Sequence, residues 1–290
     1  MNSKIHKTRF RQAGFTLVEL AVIIAMMGIL AVFLLARLLG DGAGSKADQC
    51  KNNHRQLMLA WTMYSDDNNQ NLAVNQDPSS QAQLDGVVGK KLAQPSWCAG
   101  TLDWTTSAVN TNSIYLVDGR YASIAAYADS NAALYWCPSD VYASTAQQLR
   151  GWTHRCRSVA MNAAVGDGAK YIQPWASGGF FVAKRMSDFR YPVPSQAWVF
   201  MDEHPDFIDS MLFYSNPSAT GVGSEKVPQM PSSCHNGAAT VSYADGHVVT
   251  HRWTDAQTVR SVNFLHQSNV AVMSDQDLVF LGQATPRAQQ

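Results

Sequence analysis

Hydrophobic and polar positions are spread very unevenly along this 290-residue chain. From Leu20 to Ala36, 17 consecutive residues carry no charge, and the wider window Phe15–Leu39 admits only Glu19 and Arg37. About 20 apolar residues in a helix span a bilayer, so 15–39 is expected to form a transmembrane helix. A cleaved secretory signal has a shorter apolar stretch, roughly 7–15 residues, ending in a small-residue cleavage site. The segment from Gly40 to Ser45 matches such a site poorly. Gly40, Gly42 and Gly44 each disfavour a helix by about 1 kcal/mol relative to Ala, which marks 40–45 as a weak joint. A helical pattern then resumes. Cys50, His54, Leu57, Trp61 and Tyr64 follow at alternating spacings of four and three, one stripe of an amphipathic helix. The polar run Asp66, Asp67, Asn68, Asn69 ends it.

Beyond residue 70 the pattern breaks into short apolar pieces between Asn, Gln, Ser and Gly clusters, the text of loops and short strands. Ser113–Ala128 is expected to hold a short helix near its end. Trp136 to Asp140 reads as a strand end entering a turn. Arg157–Asn162 and Gly178–Val182 read as strand pieces, and Ala197–Met201 as a stronger strand running into Asp202, Glu203, His204 and Pro205. Ala238–Ala244 and His247–Trp253 flank Asp245-Gly246, and Asp-Gly between two such runs predicts a β-hairpin. The final stretch 284–290 is polar and reads as a tail.

Composition excludes some classes and charge adds a direction. With 46% apolar and 15% charged residues, the chain is neither disordered nor collagen-like. A net charge of zero gives no basic nucleic-acid surface. The charge is nonetheless polarised. Residues 1–14 carry Lys4, Lys7, Arg9 and Arg11 and no acid, leaving 18 basic against 22 acidic residues in the remainder. Basic residues before an apolar helix stay in the cytoplasm, which places the C-terminal body on the other side. Glu19 stands inside the apolar run, where a carboxylate near mid-bilayer costs on the order of 2–3 kcal/mol. It therefore either sits hydrated at the interface or meets a positive partner.

The candidate chemistry lies in the C-terminal half. Asp202, Glu203, His204, Asp206 and Asp209 crowd eight positions after a strand, a mixture that hydrolases and hard-metal sites share. The sequence has no HExxH, no paired CxxC and no GxSxG motif. A hydrogen-bonded structural loop is the primary reading, with calcium on Asp202, Glu203, Asp206 and Asp209 as the one cofactor candidate and catalysis third. His235, Asp245 and Gly246 read as hairpin-supporting residues: Gly supplies positive φ, Asp tolerates the left-handed region, and His235 precedes the first strand. All eight Trp lie at or beyond Trp61. Aromatic residues fill cores by default, and a glycan-binding face would use Trp97, Trp104 or Trp152. Five Cys in an exported body allow up to two disulfides.

Gly14, Phe15, Thr16, Leu17, Val18 and Glu19, behind a basic leader and opening an apolar helix, resemble the class III signal of type IV prepilins and type II secretion pseudopilins. The resemblance implies that a membrane peptidase cuts after Gly14 and methylates the new N-terminus at Phe15. Glu19, fifth in the mature chain, would then be neutralised by the Phe15 amine of a neighbouring subunit, removing much of its burial cost. It further implies an α+β fold, a long membrane-spanning spine helix packed by its second half on an antiparallel sheet. The expected organisation is leader 1–14, transmembrane helix 15–39, joint and amphipathic half 40–69, and periplasmic body 70–290. Expected partners are prepilin peptidase, other pilin or pseudopilin subunits and inner-membrane lipid, with no nucleic acid and no enzymatic activity.

The likeness extends into the body. Cys50–Asn68, Cys137–Asp140, Arg157-Ser158 with Met161-Asn162, Asp202–Asp206, and His235 separated by nine residues from Asp245-Gly246 are similar to segments of pseudopilin-like proteins of planctomycetes and verrucomicrobia that carry an H-X9-DG element. Cys156 and Cys234 depart from that pattern. The resemblance implies pairing of Cys50 with Cys137. A body this large points to a minor, tip or specialised subunit of a filament. The rival functions are a membrane-anchored periplasmic hydrolase using the Asp202–Asp209 loop and an anchored glycan-binding protein.

Overall fold

The computed structural model describes residues 17–38, 43–75, 95–166 and 181–288. Gly14, Phe15, Leu39, residues 40–42 of the expected joint and most of the Gly178–Val182 piece lie outside them. The chain divides into two compact units, Met1–Ser45 and Lys46–Gln290.

In the first unit the apolar run folds as helix α1, Leu17–Leu38. Its side chains described from Leu17 to Ile29 are all exposed, Glu19 included. Among the residues described with their side chains, no helix is long and apolar enough to cross a membrane. The expected crossing over 15–39 includes residues beyond that set.

Helix α2, Ala43–Asp67, carries the predicted stripe into the second unit. Cys50, His54, Leu57 and Trp61 are fully buried, and Tyr64 is half-buried. The opposite face shows Leu59 and Met63 to solvent. The helix ends where Asn69 and Gln70 turn to positive φ, as the Asp-Asp-Asn-Asn run predicts.

The buried stripe meets a five-stranded sheet ordered β3-β1-β2-β5-β6, built from β1 Val159–Asn162, β2 Trp198–Asp202, β3 Leu212–Phe213, β5 Ala238–Tyr243 and β6 Val248–Arg252. β2 and β5 are buried along their whole length, which fits the near-continuous apolar text of β2, while β5 also buries Thr240 and Ser242. His54 reaches Ser242 on β5 at 2.7 Å, and Leu57, Met58 and Trp61 share one core with Val159, Met161, Val199 and Phe200. The sheet is antiparallel except at one edge, where β1 and β3 run parallel. The chain reverses after β2 and steps past β1, so β3 lies on the far side of β1 in the same direction. A second sheet pairs β4, Ser224–Val227, with β7, Val270–Met273. With the C-terminal helix Gln276–Gln283 it closes a second core around Trp198, Phe213 and Trp253.

The hairpin stands where the sequence puts it, with Ser242 opposite Val248 and Ala238 opposite Arg252. Four residues, Ala244 to His247, join the two strands. Gly246 N–H donates to the Tyr243 carbonyl at 2.8 Å, and Gly246 takes φ +92°, a turn closed by a left-handed glycine. Two local expectations shift. The helix in Ser113–Ala128 lies near its start, at Ile114–Val117, because the Asp118 carboxylate accepts from Arg120 N–H and turns the chain. Cys137 follows a 3₁₀ turn, Ala132–Tyr135, rather than a strand, and enters a turn in which Asp140 N–H donates to its carbonyl.

Candidate functional site

The Asp202–Asp209 loop does not gather its carboxylates. Asp202 ends β2 and points towards α2 and β5, where its Oδ2 accepts from Thr240 N–H at 3.2 Å. Glu203 is buried, and its carboxyl is pushed well above the usual range by burial first and by the Asp209 charge second. Asp206 is buried and accepts from Trp104 Nε1 at 3.1 Å and Asn263 N–H at 2.7 Å. Asp209 lies 3.8 Å from His266. Calcium needs six to eight oxygens around one point. Among the described residues, no three of these carboxylates share one, so the calcium expectation on Asp202, Glu203, Asp206 and Asp209 gains no support. The loop acts as a clasp instead, with Asp206 holding the 263–267 segment.

The hydrolase arrangement also fails to assemble. His204 accepts from Asp206 N–H through Nδ1 at 3.2 Å and faces the Arg260 carbonyl through Nε2 at 3.2 Å. Both ring nitrogens are occupied by backbone, and burial lowers the pKa of the ring. His235 lies elsewhere. Of the Trp residues expected to line a glycan-binding face, Trp97 is fully buried against Tyr135 and Phe200, and Trp104 is capped by the Arg155 guanidinium at 3.9 Å.

What the fold does bring together is a different set: Cys50 from α2, Cys137 from the turn after the 3₁₀ segment, Asp202 from the end of β2, and His235 from the approach to β5. One ligand-type atom from each lies within 4.8 Å of every other, and all four residues are buried. Cys50 Sγ donates to Asp202 Oδ2 at 3.1 Å, and Cys137 Sγ meets His235 Nε2 at 3.2 Å. His235 Nε2 is 3.7 Å from Asp202 Oδ2. Cys50 and Cys137 are free thiols in this structure, as are Cys98, Cys156 and Cys234. His235, expected to support the hairpin through a side-chain bond, gives its ring to this cluster. Only its backbone N–H bonds towards the strand, to the Ala238 carbonyl.

An outer ring of polar groups orients the four. Ser139 Oγ sits 3.3 Å from His235 Nδ1. His54 Nε2 sits 3.3 Å from Asp202 Oδ1, leaving Oδ2 to face the thiols. Thr240 Oγ1 donates to Cys50 Sγ at 3.2 Å, and Cys137 N–H donates to Ser158 Oγ at 2.7 Å. The electrostatics are strongly coupled. Burial pushes the Asp202 carboxyl up, but His54 and His235 outweigh it and hold the group well below the usual carboxylate range. Burial would lower His235, but its hydrogen bonds to Asp202 and Cys137 raise it to about 10. Burial drives the Cys50 thiol well upward.

Cys, His and Asp in contact invite comparison with a nucleophilic triad. There the acid orients one ring nitrogen while the other faces the nucleophile. Here the thiol of Cys137 and the carboxylate of Asp202 both face Nε2, and no member is exposed. The geometry is that of groups converging on a point, not of a proton relay.

Comparison with known proteins gives a match to the prokaryotic N-terminal methylation motif over residues 9–35. The type II secretion system core protein G of Aeromonas hydrophila is 39% identical over 87 residues, 29% of this chain and 55% of that protein. The core protein G of Pectobacterium carotovorum is 33% identical over 86 residues, 30% of this chain and 51% of that protein. That of Pseudomonas aeruginosa is 31% identical over 87 residues, 30% of this chain and 57% of that protein. The chain thus spans just over half the length of these relatives. No solved structure matches it significantly.

Proposed function

We propose that this chain is a pseudopilin, a structural subunit of a type II secretion or type IV pilus-like filament. The observation that carries the reading is the register of the N-terminal motif: four basic residues, Gly14, Phe15 and Glu19, then an uncharged run to Ala36, within the 9–35 methylation match. Similarity to type II secretion core proteins G supports it, as do the exposed apolar side chains of α1 from Leu17 to Ile29, which suit a lipid setting. In this reading prepilin peptidase cuts between Gly14 and Phe15, 15–39 crosses the inner membrane once, and the body stands in the periplasm. The large body and its H-X9-DG element fit a minor or specialised subunit related to the planctomycete and verrucomicrobial proteins. The subunit acts by assembly, not catalysis.

Intact-mass and N-terminal peptide analysis of the chain from membranes tests the processing step. The expected mature protein begins with N-methylated Phe15, and Gly14→Leu leaves the uncleaved precursor. A mature chain starting elsewhere would remove the main support for the proposal.

A further inference from the structure

We propose that Cys50, Cys137, Asp202 and His235 form a structural zinc site that ties helix α2 to the sheet. Nothing in it depends on the pseudopilin reading. The donor atoms are Cys50 Sγ, Cys137 Sγ, Asp202 Oδ2 and His235 Nε2, each the atom its side chain turns towards the others. In a tetrahedral zinc site, with metal–sulfur distances of about 2.3 Å and metal–nitrogen or –oxygen distances of about 2.0–2.2 Å, neighbouring donors stand roughly 3.3–3.8 Å apart. The separations of 3.1, 3.2 and 3.7 Å lie close to those edges, so an ion enters with small side-chain shifts.

The donor chemistry selects the ion. Two thiolates, an imidazole and one carboxylate suit zinc, whereas calcium and magnesium require many hard oxygens. Four protein donors leave no open position, which is the structural rather than the catalytic arrangement. The outer ring matches the role such groups play at metal sites, where the distal ring nitrogen and the second carboxylate oxygen are held by partners. Ser139 faces His235 Nδ1 and His54 faces Asp202 Oδ1. With the proton on Nδ1 directed at Ser139, the Nε2 lone pair faces the ion. On binding, both thiol protons and the proton on His235 Nε2 leave to solvent, and the sulfurs coordinate as thiolates. A disulfide between Cys50 and Cys137 would use only the two sulfurs and leave the Asp202 and His235 donors outside it.

The test uses the full-length chain extracted from membranes in detergent without added reductant. Elemental analysis should find about one zinc per chain, and X-ray absorption at the zinc edge should give two sulfur neighbours at about 2.3 Å and two nitrogen or oxygen neighbours at about 2.0–2.2 Å. Cobalt added to the metal-depleted protein should produce tetrahedral visible bands with a thiolate charge-transfer band. The Cys50→Ser, Cys137→Ser double variant should lose more than nine-tenths of the metal, while Cys156→Ser keeps it. If the double variant does not fold, the edge spectrum of the unaltered protein decides. Absence of stoichiometric metal together with no cobalt spectrum, an edge spectrum lacking two sulfurs, a Cys50–Cys137 disulfide in unreduced peptides, or zinc retained in a folded double variant would each overturn the proposal.

Discussion

At the scale of single residues, Gly246 shows how a position can matter without touching anything. A Cβ built there meets no atom within 4 Å, yet its φ is +92°. The constraint is therefore conformational, and a branched side chain pays it in full. Gly246→Val should destabilise the body by about 1–2 kcal/mol, read as a fall of several degrees in Tm, while Asp245→Asn should change it little. An unchanged Tm for Gly246→Val would contradict the turn. This residue was legible because Asp-Gly between alternating runs has a local mechanism. His235 was not. Its position before the strand suggested the hairpin, but its ring turns to Cys137, Ser139 and Asp202, which lie from 33 to 98 residues away in sequence. Spacing cannot report such a meeting.

At the scale of elements, α2 was the most readable part of the body, because burial of one helical face imposes a period that survives in sequence. Leu57 and Leu59 make the point directly: two residues apart, one is 0% and the other 61% exposed. Leu57→Ala should cost about 2–5 kcal/mol through lost burial and an unfilled cavity. Leu59→Ala should stay within about 0.5 kcal/mol in the body. Chemical denaturation of the two variants measures both, and equal losses would contradict the packing of this face on the sheet. β2 was legible from its apolar run and the β5–β6 hairpin from its turn. The short edge strands β3, β4 and β7 were not, since two to four residues carry too little pattern. The parallel β1–β3 pair is a product of tertiary routing that no local signal encodes.

At the scale of the whole molecule, two levels of information separate. The N-terminal motif is contiguous, and there leader charge, Gly14, Phe15, Glu19 and the apolar run fall in one register. The buried cluster is distributed over four segments, and sequence reasoning divided its members among a disulfide, a calcium loop and a hairpin. The fold joins them at one point, where they support the connection between the helix that follows the apolar segment and the sheet. In the proposed filament, Glu19 supplies the complementary join between subunits, its carboxylate meeting the Phe15 amine of a neighbour in apolar surroundings. Removing one partner of such a pair costs several kcal/mol, because the other remains buried and unpaired.

Co-purification of the tagged chain with other pilin-like subunits, after crosslinking in intact membranes and with unaltered protein and Glu19→Val compared side by side, tests assembly most directly. The account predicts that both chains are cleaved after Gly14 and held in the membrane, and that only the unaltered chain carries pilin-like partners. Partner recovery by Glu19→Val equal to that of the unaltered chain would contradict it.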